Sequence, residues 1–431
     1  MSSFDSDDFT TPNSRYYDQL RAEKRVAVRQ EILKKELAAM PGASDIRRFG
    51  SMIHNYAMLW GPEQQEVVTY HDFLKVKEAT TGLMKTWCTA ELFSFDKSIS
   101  DSICDVGTLL QVMDSRITMT KYFLLMSQFD YNCDGMLEPY EFYEFYAKHI
   151  VALEPRLTEI KRKLEEEESK VMKTIVITKM NLFLDQARTG KYAIKDILAS
   201  GVVQELDCLC NGSSRYDFTN WFCAENIEYI LEEYNALAAR SMDGLIRKEN
   251  FVEFQPKVKN RIFLRRIYDY LSSAEANYAG IMDITLFCRF LLIMRTKSHP
   301  VCLRTIFYAL DADDDGLISF SDLRLHFDEL CELSRDRDPD ATVPEASNFE
   351  PWANEIFDMV FADAKKGVID LETWLRGPYV HFAALKLINS ITFSDHETIE
   401  DRNLLITMDY DLEVLAVEDD EFETAPQSLS L

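Results

Sequence analysis

Proline and glycine are scarce in this chain, 12 and 14 of its 431 residues, so few points break the backbone. No long apolar run exists: the most hydrophobic stretch, Leu286 to Met294, is short and interrupted by Arg289, which predicts no membrane span. The start, Met1 to Asn13, is polar and acidic rather than basic then apolar, so no secretory signal is expected. Basic residues are in deficit, 47 Lys plus Arg against 73 Asp plus Glu. The resulting net charge of −26 excludes a nucleic-acid backbone or an anionic membrane surface as partner and favours cations and basic protein faces. The 9 cysteines are odd in number and scattered, with no C-x-x-C pair. Cys208 and Cys210 have no partnered cluster near them, and reduced thiols in the cytoplasm or nucleus fit best.

Catalytic signatures are missing too. None of the 14 glycines precedes Asp or Asn, so the Gly-Asp and Gly-Asn metal motifs of metallophosphatases are absent. There is no phosphate loop of the form G-x-x-x-x-G-K-[ST] and no H-E-x-x-H. The 7 histidines lie far apart, and His71 and His326 read as packed or surface residues. No nucleophile–base pair can be assembled, so the chain is not expected to be an enzyme.

What is present is apolar spacing of three and four residues through most of the sequence, which predicts a mainly α protein with very short strands. With 47% hydrophobic residues it has material for several buried cores. The expected organisation is a disordered N-terminus (1–15), an N-terminal helical region (16–115), two EF-hand regions (116–235 and 236–345), a C-terminal helical region (346–415) and an acidic tail (416–431). Arg335 to Glu350, rich in Asp and Pro, reads as a linker. Arg156 to Lys173 reads as a charged, solvated helix.

Two segments carry a full calcium-loop spacing. Calcium takes six to eight oxygen ligands, supplied by loop positions 1, 3, 5, 7, 9 and 12, with glycine at 6 for the turn. The first segment reads D-Y-N-C-D-G-M-L-E-P-Y-E. Asp130, Asn132 and Asp134 stand at 1, 3 and 5, Met136 offers its carbonyl at 7, and Glu138 and Glu141 stand at 9 and 12. Tyr122, Leu125, Met126 and Phe129 form an apolar stripe entering it; Phe142, Phe145 and Tyr146 form one leaving it. Leu137, at position 8, is expected to pair with a partner loop, and Pro139 suits the start of the exiting helix.

The second reads D-A-D-D-D-G-L-I-S-F-S-D. Asp311, Asp313 and Asp315 stand at 1, 3 and 5, Leu317 offers a carbonyl at 7, Ser319 stands at 9 and acts through water, and Asp322 stands at 12. Ile318 is its ribbon residue. An aspartate at position 12 is one methylene short of the usual glutamate, which predicts lower calcium affinity or tolerance of magnesium.

Other segments keep the shape and lose the ligands. Asp185 to Asp196 has Ala187 and Thr189 at positions 3 and 5 and Lys191 beside the turn; Ala239 to Asn250 lacks both end acids. Half-loops at Val68 to Phe73, Met282 to Phe287 and Ile369 to Trp374 are expected to offer ribbon partners to neighbouring EF-hands. Trp221 and Phe222 read as core aromatics.

Certain ordered segments resemble the B″ regulatory subunits of protein phosphatase 2A, most closely their gamma-type branch. They are F-L-K-V at Phe73 to Val76, R-T-G-K at Arg188 to Lys191, K-D-I-L-A at Lys195 to Ala199, T-N-W-F at Thr219 to Phe222 and E-I-F-D-M-V at Glu355 to Val360. The resemblance runs from about Tyr16 to Arg402. It implies an elongated helical protein built on EF-hand and degenerate EF-hand pairs. It further implies a non-catalytic subunit that binds the phosphatase scaffold and catalytic subunits, directs them to phosphoprotein substrates and responds to calcium. Centrosomal or cytoskeletal placement is implied as well. The chain departs from that branch in having its better acidic loop at 130–141 rather than at 239–250. The alternatives are an EF-hand calcium sensor with unrelated targets and a centrosomal or cytoskeletal scaffold protein acting without the phosphatase. The unpaired half-loops and long flanks count against the sensor.

Overall fold

The computed structural model describes residues 12–95, 102–167, 171–211, 220–256, 258–273, 280–337, 348–362 and 367–394. It is mainly α, with strands of two to five residues. The chain divides into two compact units, Met1–Leu153 with Arg188–Asn211, and Glu154–Ala187 with Gly212–Leu431.

In the first unit the long helix Val106–Ser127 is the spine. Its first turn is closed by Asp105, whose carboxylate accepts the Thr108 N–H at 2.7 Å. Leu109, Met113 and Ile117, spaced by four, bury one face against Phe49, Ile53, Phe73 and Phe93. A small antiparallel sheet lies beside this core: Met58–Trp60 pairs with Gln65–Thr69, which pairs with Ile103–Asp105. Val68 thus finds its ribbon partner in Cys104, ahead of helix Val106–Ser127, and not in an acidic loop as expected of the half-loop Val68 to Phe73. The helix Pro12–Ala38 packs along the spine. It starts inside the segment expected to be disordered, with a proline at its first position, where no helical N–H is needed. Residues 1–11 and the acidic tail lie outside the described residues.

Helix Pro139–His149 follows the first acidic loop, again with proline at its start. Phe142, Phe145 and Tyr146 are fully buried, and Phe145 meets the Phe129 ring edge-on at 5.9 Å. The stripes expected on either side of the loop therefore pack together. The two-residue strand Met136–Leu137 pairs with Tyr192–Ala193, setting Leu137 opposite Tyr192.

The second unit repeats this device. Ile246 bridges Met282, and Leu317–Ser319 pairs with Val368–Asp370, placing Ile318 opposite Ile369. That ribbon joins residues on either side of the expected boundary at 345/346. Helix Phe320–Arg337 also runs into the segment expected to be a linker, because Leu333 and Ser334 are buried and Arg337 donates to the Ser390 hydroxyl at 3.2 Å. The charged stretch after Glu154 forms helix Pro155–Glu167, with Leu157 and Ile160 turned inward and Arg156 paired to Glu225 and Glu228. Trp221 and Phe222 are buried, the Trp221 indole donating to the Ile175 carbonyl at 2.9 Å.

Leu286 to Met294 lies within helix Ile284–Arg295, which is buried on most sides, as a central core helix should be. Among the described residues no helix is long and apolar enough to cross a membrane.

One polar node organises the helices around the second acidic loop. Asn260 caps helix Arg261–Ser273 by accepting the N–H groups of Ile262 and Phe263 at 3.0 and 3.1 Å. Its amide donates to the Leu387 carbonyl and to His326 Nδ1, both at 3.0 Å. With Nδ1 accepting, His326 carries its proton on Nε2 and donates to the Leu310 carbonyl at 3.1 Å. Asn260 and His326 are fully buried, and each of these bonds is internal to the second unit.

Candidate metal centres

Loop 130–141 folds around its own acids. Asp130 accepts the N–H groups of Asp134 and Gly135 at 3.1 and 3.0 Å. Asn132 also accepts from Asp134, and Asp134 Oδ1 accepts the Met136 N–H at 2.9 Å. Glu141 reaches back to the N–H groups of Tyr131 and Glu138 at 3.3 and 2.8 Å.

Loop 311–322 repeats the scheme. Asp311 accepts from Asp315 and Gly316 at 3.2 and 2.8 Å, Asp313 from Asp315 at 3.3 Å, and Asp315 Oδ1 from Leu317 at 2.8 Å. Asp322 accepts from Ala312 and Ser319 at 3.0 and 2.8 Å. Ser319, expected to work through water, donates its hydroxyl to Asp322 at 2.6 Å. Met136 and Leu317, expected to give carbonyls, both lie at the start of their strands.

The backbones match as well. Positions 4 and 6 have positive φ in both loops: Cys133 and Gly135 at 63° and 77°, Asp314 and Gly316 at 61° and 84°. A side chain at either glycine would meet nothing within 4 Å, so the demand for glycine comes from the backbone alone.

The donor sets suit a hard divalent cation. The carboxylate oxygens of Asp311, Asp313 and Asp315 lie within 4.8 Å of one another, a spread that an ion holding its oxygens at roughly 2.3–2.6 Å can span. The acids at positions 1 and 12, Asp130, Glu141, Asp311 and Asp322, are each only 2% exposed. Buried carboxylates are costly unless compensated. Burial pushes the Asp311 carboxyl above its ordinary range, with the charges of Asp322 and Asp315 adding to the effect and the Gly316 and Asp315 N–H groups opposing it. All-oxygen sets of this kind fit calcium or magnesium.

Three basic side chains from outside the loops complete the geometry, and ligand spacing gives no hint of them. Lys191 places its ammonium 2.7 Å from Asp134 Oδ2. Its hydrogen bond holds that carboxyl below the usual range. Arg29 donates to the backbone carbonyl and the Oδ2 of Asp130, both at 3.1 Å. Arg266 donates to the Asp311 carbonyl at 2.6 Å and pairs with Asp314.

The ligand-poor loops keep parts of this backbone. Arg188 and Gly190 have φ of 55° and 70°, as positions 4 and 6 require. In loop 239–250 the side chains at positions 3 and 12 bond directly, Asn250 donating to Ser241 at 3.1 Å, and the position-5 acid Asp243 pairs with Arg247. Protein bonds occupy the groups a cation would use there.

The chain is similar in sequence to several known proteins. No family model matches the chain. It is 25% identical over 302 residues to the human B″ gamma regulatory subunit of serine/threonine-protein phosphatase 2A, covering 69% of this chain and 63% of that protein. The chain therefore spans less than two thirds of that relative's length. The zebrafish gamma subunit is 23% identical over 358 residues, covering 80% of this chain and 75% of its own length. The probable B″ regulatory protein TON2 of Arabidopsis thaliana is 25% identical over 346 residues, covering 76% and 68% respectively. A solved chain from a PP2A PR70 holoenzyme covers 64% of this chain and 98% of its own length, with 21% identity and a TM-score of 0.48. By sequence, this chain is similar to the B″ regulatory subunits of protein phosphatase 2A, those of the gamma type among them.

Proposed function

We propose that this chain is a non-catalytic regulatory subunit of a protein phosphatase 2A holoenzyme, binding calcium and directing the phosphatase to its phosphoprotein substrates. The observation that carries the reading is the similarity to B″ gamma subunits over 69% of the chain. The scaffold and catalytic subunits are its partners in this reading, and it brings no catalytic group of its own.

Calcium at loop 130–141, and calcium or magnesium at loop 311–322, fits the oxygen-rich geometry. A bound ion would neutralise the loop acids and fix the angle between entering and exiting helices, which is how EF-hand loops convert ion binding into a changed surface. The ribbon partners support this role, because each couples an acidic loop to a ligand-poor neighbour. All 9 cysteines are free thiols, which suits the reducing cytoplasm or nucleus; centrosomal or cytoskeletal placement belongs to the same proposal.

The test is affinity capture of the full chain from cell extract with calcium or with chelator, followed by detection of the scaffold and catalytic subunits. Their recovery, stronger in calcium, is expected. Failure to recover either of them under both conditions would sink the reading.

A further inference from the structure

Among the described side chains, Lys191 is the most informative that ligand spacing does not explain. It belongs to position 7 of loop 185–196, which has lost its own ligands, yet its ammonium sits on a ligand of the neighbouring loop. We infer that Lys191 is a built-in competitor for the cation of loop 130–141, so that the ligand-poor loop sets its partner's affinity and its threshold for calcium. This rests on the calcium reading given above.

The argument starts from the two oxygens of Asp134. Oδ1 accepts the Met136 N–H at 2.9 Å, a bond that shapes the turn. Oδ2 is the oxygen left for a metal, and it lies 2.7 Å from Lys191 Nζ. An ammonium and a divalent cation cannot share one carboxylate oxygen without strong mutual repulsion. A cation entering the loop must therefore displace Lys191.

The ribbon fixes the lysine in place. Met136 pairs with Ala193 and Leu137 with Tyr192, while the Ile194 N–H donates to the Gly135 carbonyl at 3.1 Å. Lys191 directly precedes this paired strand, so its backbone has little freedom. Its side chain is a point charge on a flexible stem and is 35% exposed, so it can swing aside. That makes it a competitor rather than a plug.

The second acidic loop supplies the internal control. Asp315 Oδ1 accepts the Leu317 N–H as Asp134 Oδ1 accepts that of Met136. Aligning the two ribbons on their central pairs, Leu137 with Tyr192 and Ile318 with Ile369, puts Val368 where the first has Lys191. Val368 is apolar, so no ammonium reaches Asp315 from that position. Arg29 plays a different part at the first loop. It bonds Asp130 Oδ2, which also accepts the Gly135 N–H, while Oδ1 accepts the Asp134 N–H.

Calorimetric titration of calcium into the full chain tests this, using wild type, Lys191→Met, Lys191→Arg, Glu141→Gln and the double variant Lys191→Met with Glu141→Gln. Lys191→Met is expected to tighten one site about three- to tenfold, the range expected when a partly exposed ion pair and its repulsion are removed. Lys191→Arg should stay within about twofold of wild type, since it keeps the charge. The gain should vanish in the double variant. Binding at loop 311–322 should be unchanged throughout, and far-UV circular dichroism and a urea midpoint matching wild type report that each variant is folded. If Glu141→Gln removes a site while Lys191→Met leaves its affinity unaltered, the competitor role is overturned and the calcium reading stands. If no protein in the set binds calcium, both fall.

Discussion

Arg266 donates to the backbone carbonyl of Asp311 at 2.6 Å, tying helix Arg261–Ser273 to the first residue of an acidic loop. Arg29 makes the same bond to Asp130 from helix Pro12–Ala38. Each loop is thus held at its entrance by an arginine from a helix that is not its own. Replacing Arg266 with Met should lower stability by about 1–2 kcal/mol, mostly through the lost charge-assisted bond. The Asp314 pair adds little, because that carboxylate is largely exposed. A urea midpoint shifted down with an unchanged slope is the expected signature; an unmoved midpoint would show that the arginine holds nothing.

Asn260 makes four side-chain hydrogen bonds in the second unit. It caps one helix and donates to Leu387 and His326 in the interior. Asn260→Ala leaves a buried carbonyl and a buried ring nitrogen without their donor and removes the cap. A loss of about 2–4 kcal/mol is expected, read by chemical denaturation.

His326 gives the chain a defined response to acid. Burial pushes its pKa from 6.5 down to about 4 in the folded protein. The unfolded chain therefore binds this proton first. Stability from the neutral ring is complete above about pH 6.5, declines as pH falls toward about 4, and levels off below that. The contribution at stake is on the order of 3 kcal/mol. Denaturation of wild type and His326→Gln across this range should give a difference that shrinks as pH falls; a constant difference would count against it.

Asp322 closes its loop with a side chain one methylene shorter than Glu141. It is bound by the Ser319 hydroxyl as well as by two N–H groups. Asp322→Glu should let both oxygens reach a larger ion and raise the preference for calcium over magnesium by about tenfold. Calcium titration with and without competing magnesium measures this, and an unchanged ratio would mean that position 12 does not set ion choice.

The legible part of this protein is the local part. Asp130 to Glu141 and Asp311 to Asp322 could be read because all their turn-forming bonds lie within one short loop. Half-loops at Val68, Met282 and Ile369 were readable as a β-favouring residue before a helix start. The strand Ile103–Asp105 that pairs with Val68 is not legible in the same way, since it has no acidic loop before it; its signal is Asp105 as the cap of a long apolar helix. Lys191, Arg29 and Arg266 were out of reach for a different reason. Each touches its acid from 57, 101 and 45 residues away, distances over which only the packed fold decides who meets whom. The Asp- and Pro-rich segment after Arg335 misled at its start, where buried Ser334 and the Arg337–Ser390 bond outweigh composition.

The fully buried indole of Trp374 donates to the Leu303 carbonyl at 3.1 Å, and Leu303 lies on helix Pro300–Leu310, which leads into loop 311–322. The last residue of the half-loop Ile369 to Trp374 is therefore fastened to the helix that enters an acidic loop. That makes Trp374 a native optical gauge. Its fluorescence depends on the polarity around the ring, so any swing of the entering helix on ion binding would alter the emitted light without a label, and Trp374→Phe separates this signal from that of the other tryptophans.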